Sequence, residues 1–261
     1  MLSKNKIIVF CIFIFSFIYS INSYGLVGII IPMHEESSLL QKSITEKNNI
    51  SIAGINYVVG KIQNKKVVFV ISGLGKVNSA MIATRLIRDF KPDLVLLSGS
   101  SGNINPALKK GDVVIGEKVA NVDLGELTPN GIQFQAKRYL RNPNTNTLLP
   151  LEFNLDPRWV KWVSELPNNQ PKVILGNIAT SDALPNLEPQ IQLLKKLKFD
   201  AIEMEGASVM QACWMFKTSC IIIRGISNNA NEYGSITDQD TALAGDNAAK
   251  VLMEIIKSYK N

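Results

Sequence analysis

The chain is predicted to fold as one α/β domain of three layers, with helices covering both faces of a sheet. Three observations predict this. Residues 26–31, 94–97 and 220–223 are apolar runs without alternation, as in strands buried on both faces. Segments with helical spacing lie between such runs. The composition, 46% hydrophobic and 19% charged over 261 residues, provides enough apolar surface for one ordered core.

The elements follow in order. Residues 26–31 form the first strand, and a helix is expected from Glu35. Residues 51–62 and 66–71 read as a pair of strands, and Gly73-Leu74-Gly75 makes a turn. Val77, Ala80, Met81 and Thr84 are spaced for a helix over 77–90, which Pro92 ends. Residues 94–97 are a continuous apolar strand that runs into the small, polar stretch 98–103, read as a turn. Further strands are expected at 113–115, 173–175, 201–202 and 220–223. Helices are expected at 156–166, 187–197, 205–216 and 239–257. Residues 121–154 are rich in Asn, Pro and Thr and read as a long surface excursion, where loops often carry function.

The first residues differ from the rest. Lys4 and Lys6 precede an apolar run, 7–21, that ends in Asn22, Ser23, Tyr24 and Gly25. A positive start, a short apolar core and a small-residue exit describe a secretory signal peptide. The run is shorter than the ~20 residues of a comfortable membrane span. Residues 1–23 are therefore expected to be a cleaved signal peptide, and 24–261 the exported domain, periplasmic or secreted, with no stable membrane span after cleavage.

Several function classes are disfavoured. The net charge of +6 includes no dense basic block, only pairs such as Lys109-Lys110 and Lys195-Lys196, so no nucleic-acid partner is expected. His34 is the single histidine, which leaves no multi-histidine metal site and no Ser-His-Asp group unless His34 itself is the base. Cys213 and Cys220 sit in apolar surroundings and read as buried thiols. No metal or organic cofactor is implied.

Four segments at strand ends stand out, where α/β folds gather their sites. They are 28–36 (Gly-Ile-Ile-Ile-Pro-Met-His-Glu-Glu), 72–77 (Ser-Gly-Leu-Gly-Lys-Val) together with 98–103 (Ser-Gly-Ser-Ser-Gly-Asn), 201–207 (Ala-Ile-Glu-Met-Glu-Gly-Ala) and 223–228 (Ile-Arg-Gly-Ile-Ser-Asn). In order and spacing they resemble the 5'-methylthioadenosine/S-adenosylhomocysteine nucleosidases, over about Gly25 to Tyr259. The resemblance implies a nucleoside phosphorylase-like α/β/α fold with a central mixed sheet, a homodimer, and a small purine nucleoside as the binding partner. It implies that Glu36 positions or deprotonates the attacking water, that Glu205 grips the ribose 2'- and 3'-hydroxyls, and that Met204 packs on the sugar. Glu203 matches the acid just ahead of them. Ser100, Ser101 and Gly102 match a turn beside ribose and base. Arg224 and Ser227 match the strand end leading to the catalytic acid, and Asp182 matches a residue of the Ser-Asp-Ala turn at 181–183. The chemistry suits these residue types: breaking an N-glycosidic bond builds positive charge on the sugar, which nearby carboxylates stabilise while one activates water.

Two positions depart from the family pattern. Asn228 stands where the resemblance implies an aspartic acid that protonates the leaving purine at N7, and an amide delivers no proton. An adenine protonated at N7 presents two donors, whereas a 6-oxopurine presents a donor and an acceptor that one amide satisfies together. Asn228 therefore points towards inosine- or guanosine-like substrates. Leu184-Pro185 follow Ser181-Asp182-Ala183 where the family has an aromatic residue. Phosphorolysis and catalytically weak nucleoside binding stay open as alternatives, although 28–36 and 98–103 contain no arginine or lysine to hold phosphate.

Overall fold

A computed structural model describes residues 25–128, 131–134, 141–142, 145–148, 150, 152–166, 171–185 and 188–259. The expected signal peptide, 1–23, lies outside the described residues, as does part of the excursion expected at 121–154. The strands are β1 Val27–Ile31, β2 Thr45–Ile52, β3 Ile55–Ile62, β4 Lys65–Ile71, β5 Leu94–Asn103, β6 Val113–Asn121, β7 Gly125–Thr128, β8 Gly131–Phe134, β9 Glu152–Asn154, β10 Val173–Thr180, β11 Ala201–Glu203 and β12 Ser219–Asn229. The helices are α1 Ser38–Ser43, α2 Lys76–Phe90, α3 Pro157–Ser164, α4 Glu188–Lys196, α5 Gly206–Phe216 and α6 Asp238–Ser258.

The main sheet is mixed and runs β11-β10-β6-β12-β5-β1-β4-β3-β2, with β9 on β6. Parallel pairs form its middle, β12–β5–β1–β4, and antiparallel hairpins extend the edge through β3 and β2. At the other end β11 pairs with β5 as well as with β10, so five strands close on themselves. The apolar runs split by alternation. Ile29, Ile31, Leu94, Leu96, Ile221 and Ile223 face α1, α3 and α6, while Ile30, Val95, Leu97 and Ile222 face α2 and α5. This is the expected three-layer architecture, and both faces are buried as the unbroken hydrophobicity requires.

Three expectations need correction. The strand expected at 51–62 is two strands, because Ala53 and Gly54 both take positive φ in a tight turn. Gln63 and Asn64 make a second turn of this kind, and two-residue hairpins need positive φ at both positions. The stretch 98–103 is a strand, not a turn: β5 continues to Asn103 because it pairs with β12 from Ile223 to Asn229. The helix expected from Glu35 begins at Ser38, leaving 32–37 as a loop that presents Glu36.

Candidate active site

A cavity of about 300 Å³ opens at the carboxyl ends of the parallel strands. That is the lower end of the range of ~300–1,000 Å³ common for small-ligand sites. Each wall comes from a different element. The loop after β1 contributes Pro32, Met33 and Glu36; β5 contributes Ser100, Ser101 and Gly102; β11 and the start of α5 contribute Glu203, Met204 and Glu205; β12 contributes Arg224, Ser227 and Asn228. Leu74, Leu184, Pro185 and the start of α6 complete it.

Arg224 is the centre of charge, 1% exposed. Its Nη2 donates to Glu205 Oε2 at 2.9 Å and to Glu203 Oε2, and Nη1 reaches the Ser100 carbonyl at 3.4 Å. Burial alone would weaken the guanidinium's hold on its proton, but Glu203, Glu205 and Glu36 outweigh it and keep Arg224 above its ordinary pKa. The guanidinium lies across the backbone of Gly99, where a Cβ would stand 2.5 Å from Nη1 and 3.1–3.2 Å from the Glu36 carboxylate oxygens.

The carboxylates differ in how fully the protein occupies them. Glu203 Oε1 accepts from Thr180 Oγ1 and from the Gly206 N–H at 2.9 Å; Oε2 accepts from the Glu205 and Gly206 N–H groups and from Arg224. A carboxylate has about four acceptor positions, so Glu203 is filled by the protein. It anchors Arg224 and sits on the positive end of α5. Its side chain lines the cavity while its acceptor positions are taken up by the protein itself.

Glu205 is half occupied. Oε1 accepts the Gly75 N–H at 2.8 Å and Oε2 accepts Arg224, leaving one lone pair on each oxygen. Burial pushes its pKa up; Arg224 opposes this, the Glu203 charge adds to it, and the group rises to about 7. Glu36 is also half occupied, with Oε1 accepting the Ser100 N–H at 2.6 Å and Oε2 the Met33 N–H at 3.3 Å. Burial raises its pKa despite the pull of Arg224, which makes its carboxylate a stronger base than one in water.

At the other side, Asn228 is 2% exposed. Its Oδ1 accepts from Ser227 Oγ at 2.7 Å and its Nδ2 donates to the Asn229 carbonyl at 2.6 Å. One N–H and one oxygen lone pair remain, a donor and an acceptor side by side. Ser227 Oγ also lies 3.2 Å from the Ser101 carbonyl, tying β12 to β5.

Of the residues singled out in the sequence, Glu36, Ser100, Ser101, Gly102, Glu203, Met204, Glu205, Arg224, Ser227 and Asn228 all line this cavity. Asp182 does not. Its carboxylate faces α2, where Oδ1 accepts the Lys76 N–H at 2.9 Å. Sequence reasoning missed Thr237, Asp238 and Thr241, which reach the cavity from the first turn of α6. A signal for them existed: Thr237 and Asp240 form a reciprocal capping box that starts the helix at Asp238, one residue ahead of Gln239. His34 is exposed, and its carbonyl accepts from the Ser37 hydroxyl and N–H.

Residues 26–259 match the Phosphorylase superfamily. The 5'-methylthioadenosine/S-adenosylhomocysteine nucleosidase of Oceanobacillus iheyensis is 32% identical over 236 residues, covering 88% of this chain and 98% of the relative. The nucleosidase of that name from S. pneumoniae, solved with the transition-state inhibitor MT-ImmA, superposes with a TM-score of 0.77 at 31% identity, covering 89% of this chain and 99% of that one. The futalosine hydrolase of Helicobacter pylori superposes at 0.76 with 25% identity, covering 90% and 99%. The chain belongs to the phosphorylase superfamily and, within it, to the 5'-methylthioadenosine/S-adenosylhomocysteine nucleosidase family.

Proposed function

We propose that this protein hydrolyses the N-glycosidic bond of a purine nucleoside, with a base preference set by Asn228. The carrying observation is that two half-occupied carboxylates, Glu36 and Glu205, face one cavity across Arg224, whose Nη2 is held by Glu203 and Glu205. Glu205 has one free lone pair on each oxygen for the two ribose hydroxyls. Glu36 takes a proton from water as the water oxygen bonds to C1'. The C1'–N9 bond breaks and its electron pair leaves with the base. The carboxylates stabilise the positive charge that builds on the sugar.

Asn228 supports a 6-oxopurine over adenine. Its remaining N–H donates to O6 and its remaining lone pair accepts N7–H, once solvent has protonated N7. Water is favoured over phosphate as the nucleophile, because among the described residues Arg224 is the one Lys or Arg lining the cavity and both Glu203 and Glu205 already hold it. The assay is free-base release from methylthioadenosine, adenosylhomocysteine, adenosine, inosine and guanosine, with and without phosphate. Phosphate-independent release, fastest from inosine or guanosine, is expected. Binding without release from any of them would overturn the catalytic reading.

Two further proposals accompany it. The chain is exported after cleavage of residues 1–23, which the charge and apolarity of that segment support; the N-terminus of protein recovered outside the cytoplasm should be Tyr24. The protein is a homodimer: Leu74, Val77 and Met81 are 46%, 70% and 61% exposed, Val77 and Met81 share one face of α2, and Leu74 lines the cavity mouth. Sedimentation of the mature chain should give twice the monomer mass, and Met81→Glu should lower it.

A further inference from the structure

We infer that Lys76, Asp123 and Asp182 form a clamp that positions the ribose-holding carboxylate Glu205 through the Gly75 N–H. The inference rests on the nucleosidase reading for its enzymatic consequence but on geometry alone for its existence. Helix α2 starts at Lys76 behind a glycine with φ +90°, which has no side chain to cap the helix's free N–H groups. Other parts of the chain satisfy two of those groups. Glu205 accepts the Gly75 N–H at 2.8 Å, and Asp182 accepts the Lys76 N–H at 2.9 Å.

Asp182 is in turn held in place. Asp123 Oδ2 accepts the Asp182 N–H at 2.8 Å and the Ser181 hydroxyl at 3.2 Å. The Lys76 ammonium closes the ring: it pairs with Asp123 Oδ1, lies 3.7 Å from Asp182 Oδ2 and donates to Asn121 Oδ1 at 3.4 Å. Lys76 and Asp123 side chains are 20% and 11% exposed, so this pair is better shielded than an ordinary surface pair. Three loops, after β4, β6 and β10, meet at one ammonium group. The first aims the Gly75 donor at Glu205, and the third carries Leu184 and Pro185 into the cavity wall. The clamp thus couples the ribose side of the cavity to its apolar wall, while none of its three charged side chains lines the cavity.

Glu205 is faced by Arg224 from β12, Glu203 from β11, Glu36 from the loop after β1 and the Gly75 N–H from the start of α2. Of these, the Gly75 donor is the one the clamp controls. The test uses Lys76→Met, Lys76→Arg and Asp182→Ala in the full mature chain, with the Glu205 carboxyl titration followed by carbon NMR and identified by its loss in Glu205→Gln. Removing the Asp182 charge would, by relieving Coulomb repulsion, lower the Glu205 pKa, whereas releasing the Gly75 donor raises it. An upward shift in Asp182→Ala and in Lys76→Met, largely restored in Lys76→Arg, is the expected result. An unchanged or lowered value in Asp182→Ala overturns the clamp, whether or not any nucleoside binds.

The second readout is affinity for adenosine and inosine relative to their 2'-deoxy counterparts. The clamp variants should lose about tenfold to a hundredfold on the ribonucleosides and much less on the deoxynucleosides, the scale of a hydrogen bond to a charged group. Equal losses on both would mean a general structural role and also overturn the proposal. A parent protein that binds no nucleoside would instead sink the nucleosidase reading, leaving the titration to decide the clamp.

Discussion

The Arg224 side and the Asn228 side of the cavity, the proposed ribose and base sides, are built on different principles. On the ribose side, one buried cation and three buried carboxylates are locked by backbone N–H groups, a threonine hydroxyl and each other. On the Asn228 side, a single neutral amide and a serine share the cavity lining with Leu184 and Pro185. Charge taken from water is costly unless paired, so the first arrangement tolerates little change. A neutral amide costs little to bury once hydrogen-bonded, so the second is free to set specificity. On the proposed reading, the contrast assigns the part of the reaction common to all nucleosides to a charged lattice, and the part that tells bases apart to one side chain.

The sharpest break in this contrast is Glu36→Gln. The amide accepts no proton from water, so base release should fall by about 10²–10⁴-fold while nucleoside affinity changes far less. Steady-state and equilibrium-binding measurements on one preparation separate the two. On the base side, Asn228→Asp should gain about 10²-fold on adenine nucleosides. The new oxygen would lie about 2.6 Å from the Asn229 carbonyl, as Nδ2 does now. Two oxygens that close favour the protonated carboxyl, which is the form that can deliver a proton to N7. No gain on adenosine, with folding intact, would remove Asn228 as the selector.

The charged side also predicts a pH dependence of stability. Glu205 titrates near 7 in the fold against an ordinary value of 4.5, so between those values the folded state carries the extra proton. Its contribution to stability is complete below about pH 4.5 and is lost as pH rises through about 7, an effect of about 3 kcal/mol at most. Denaturant unfolding at pH 5 and pH 8 should show this loss in the parent and little of it in Glu205→Gln. Smallest is Gly99→Ala, where the added methyl would press on the Arg224 guanidinium, itself unable to yield because Glu203 and Glu205 hold it. A destabilisation of about 1–3 kcal/mol is expected. The equivalent change at Gly54, which has open space around it, should cost only the strain of its positive φ.

Much of the site was legible as a pattern of motifs. Glu36, Glu205, Arg224 and Asn228 stand out because carboxylates, a cation and an amide follow apolar strands, and polar groups at such ends face a cleft. Asp182 shows where that reasoning fails. Its motif resembles one near the base, and the loop does reach the cavity through Leu184 and Pro185, but the carboxylate itself turns away to the bare start of α2. No local pattern reports that turn, because the N–H that attracts it comes from a distant segment. Glu203 is a related case: its identity as a site acid was visible, its saturation by four donors was not.

The sequence by itself determined the layered architecture, since uninterrupted apolar strands can be buried only between two covers. It also determined that residue 228 is an amide and not an acid, because residue identity needs no fold. Tertiary structure alone decided that 98–103 remains extended and that five strands close on themselves. It also decided which carboxylates keep free lone pairs. The reason is physical: hydrophobic spacing records how deeply each residue is buried, whereas strand register and hydrogen-bond occupancy depend on partners far along the chain.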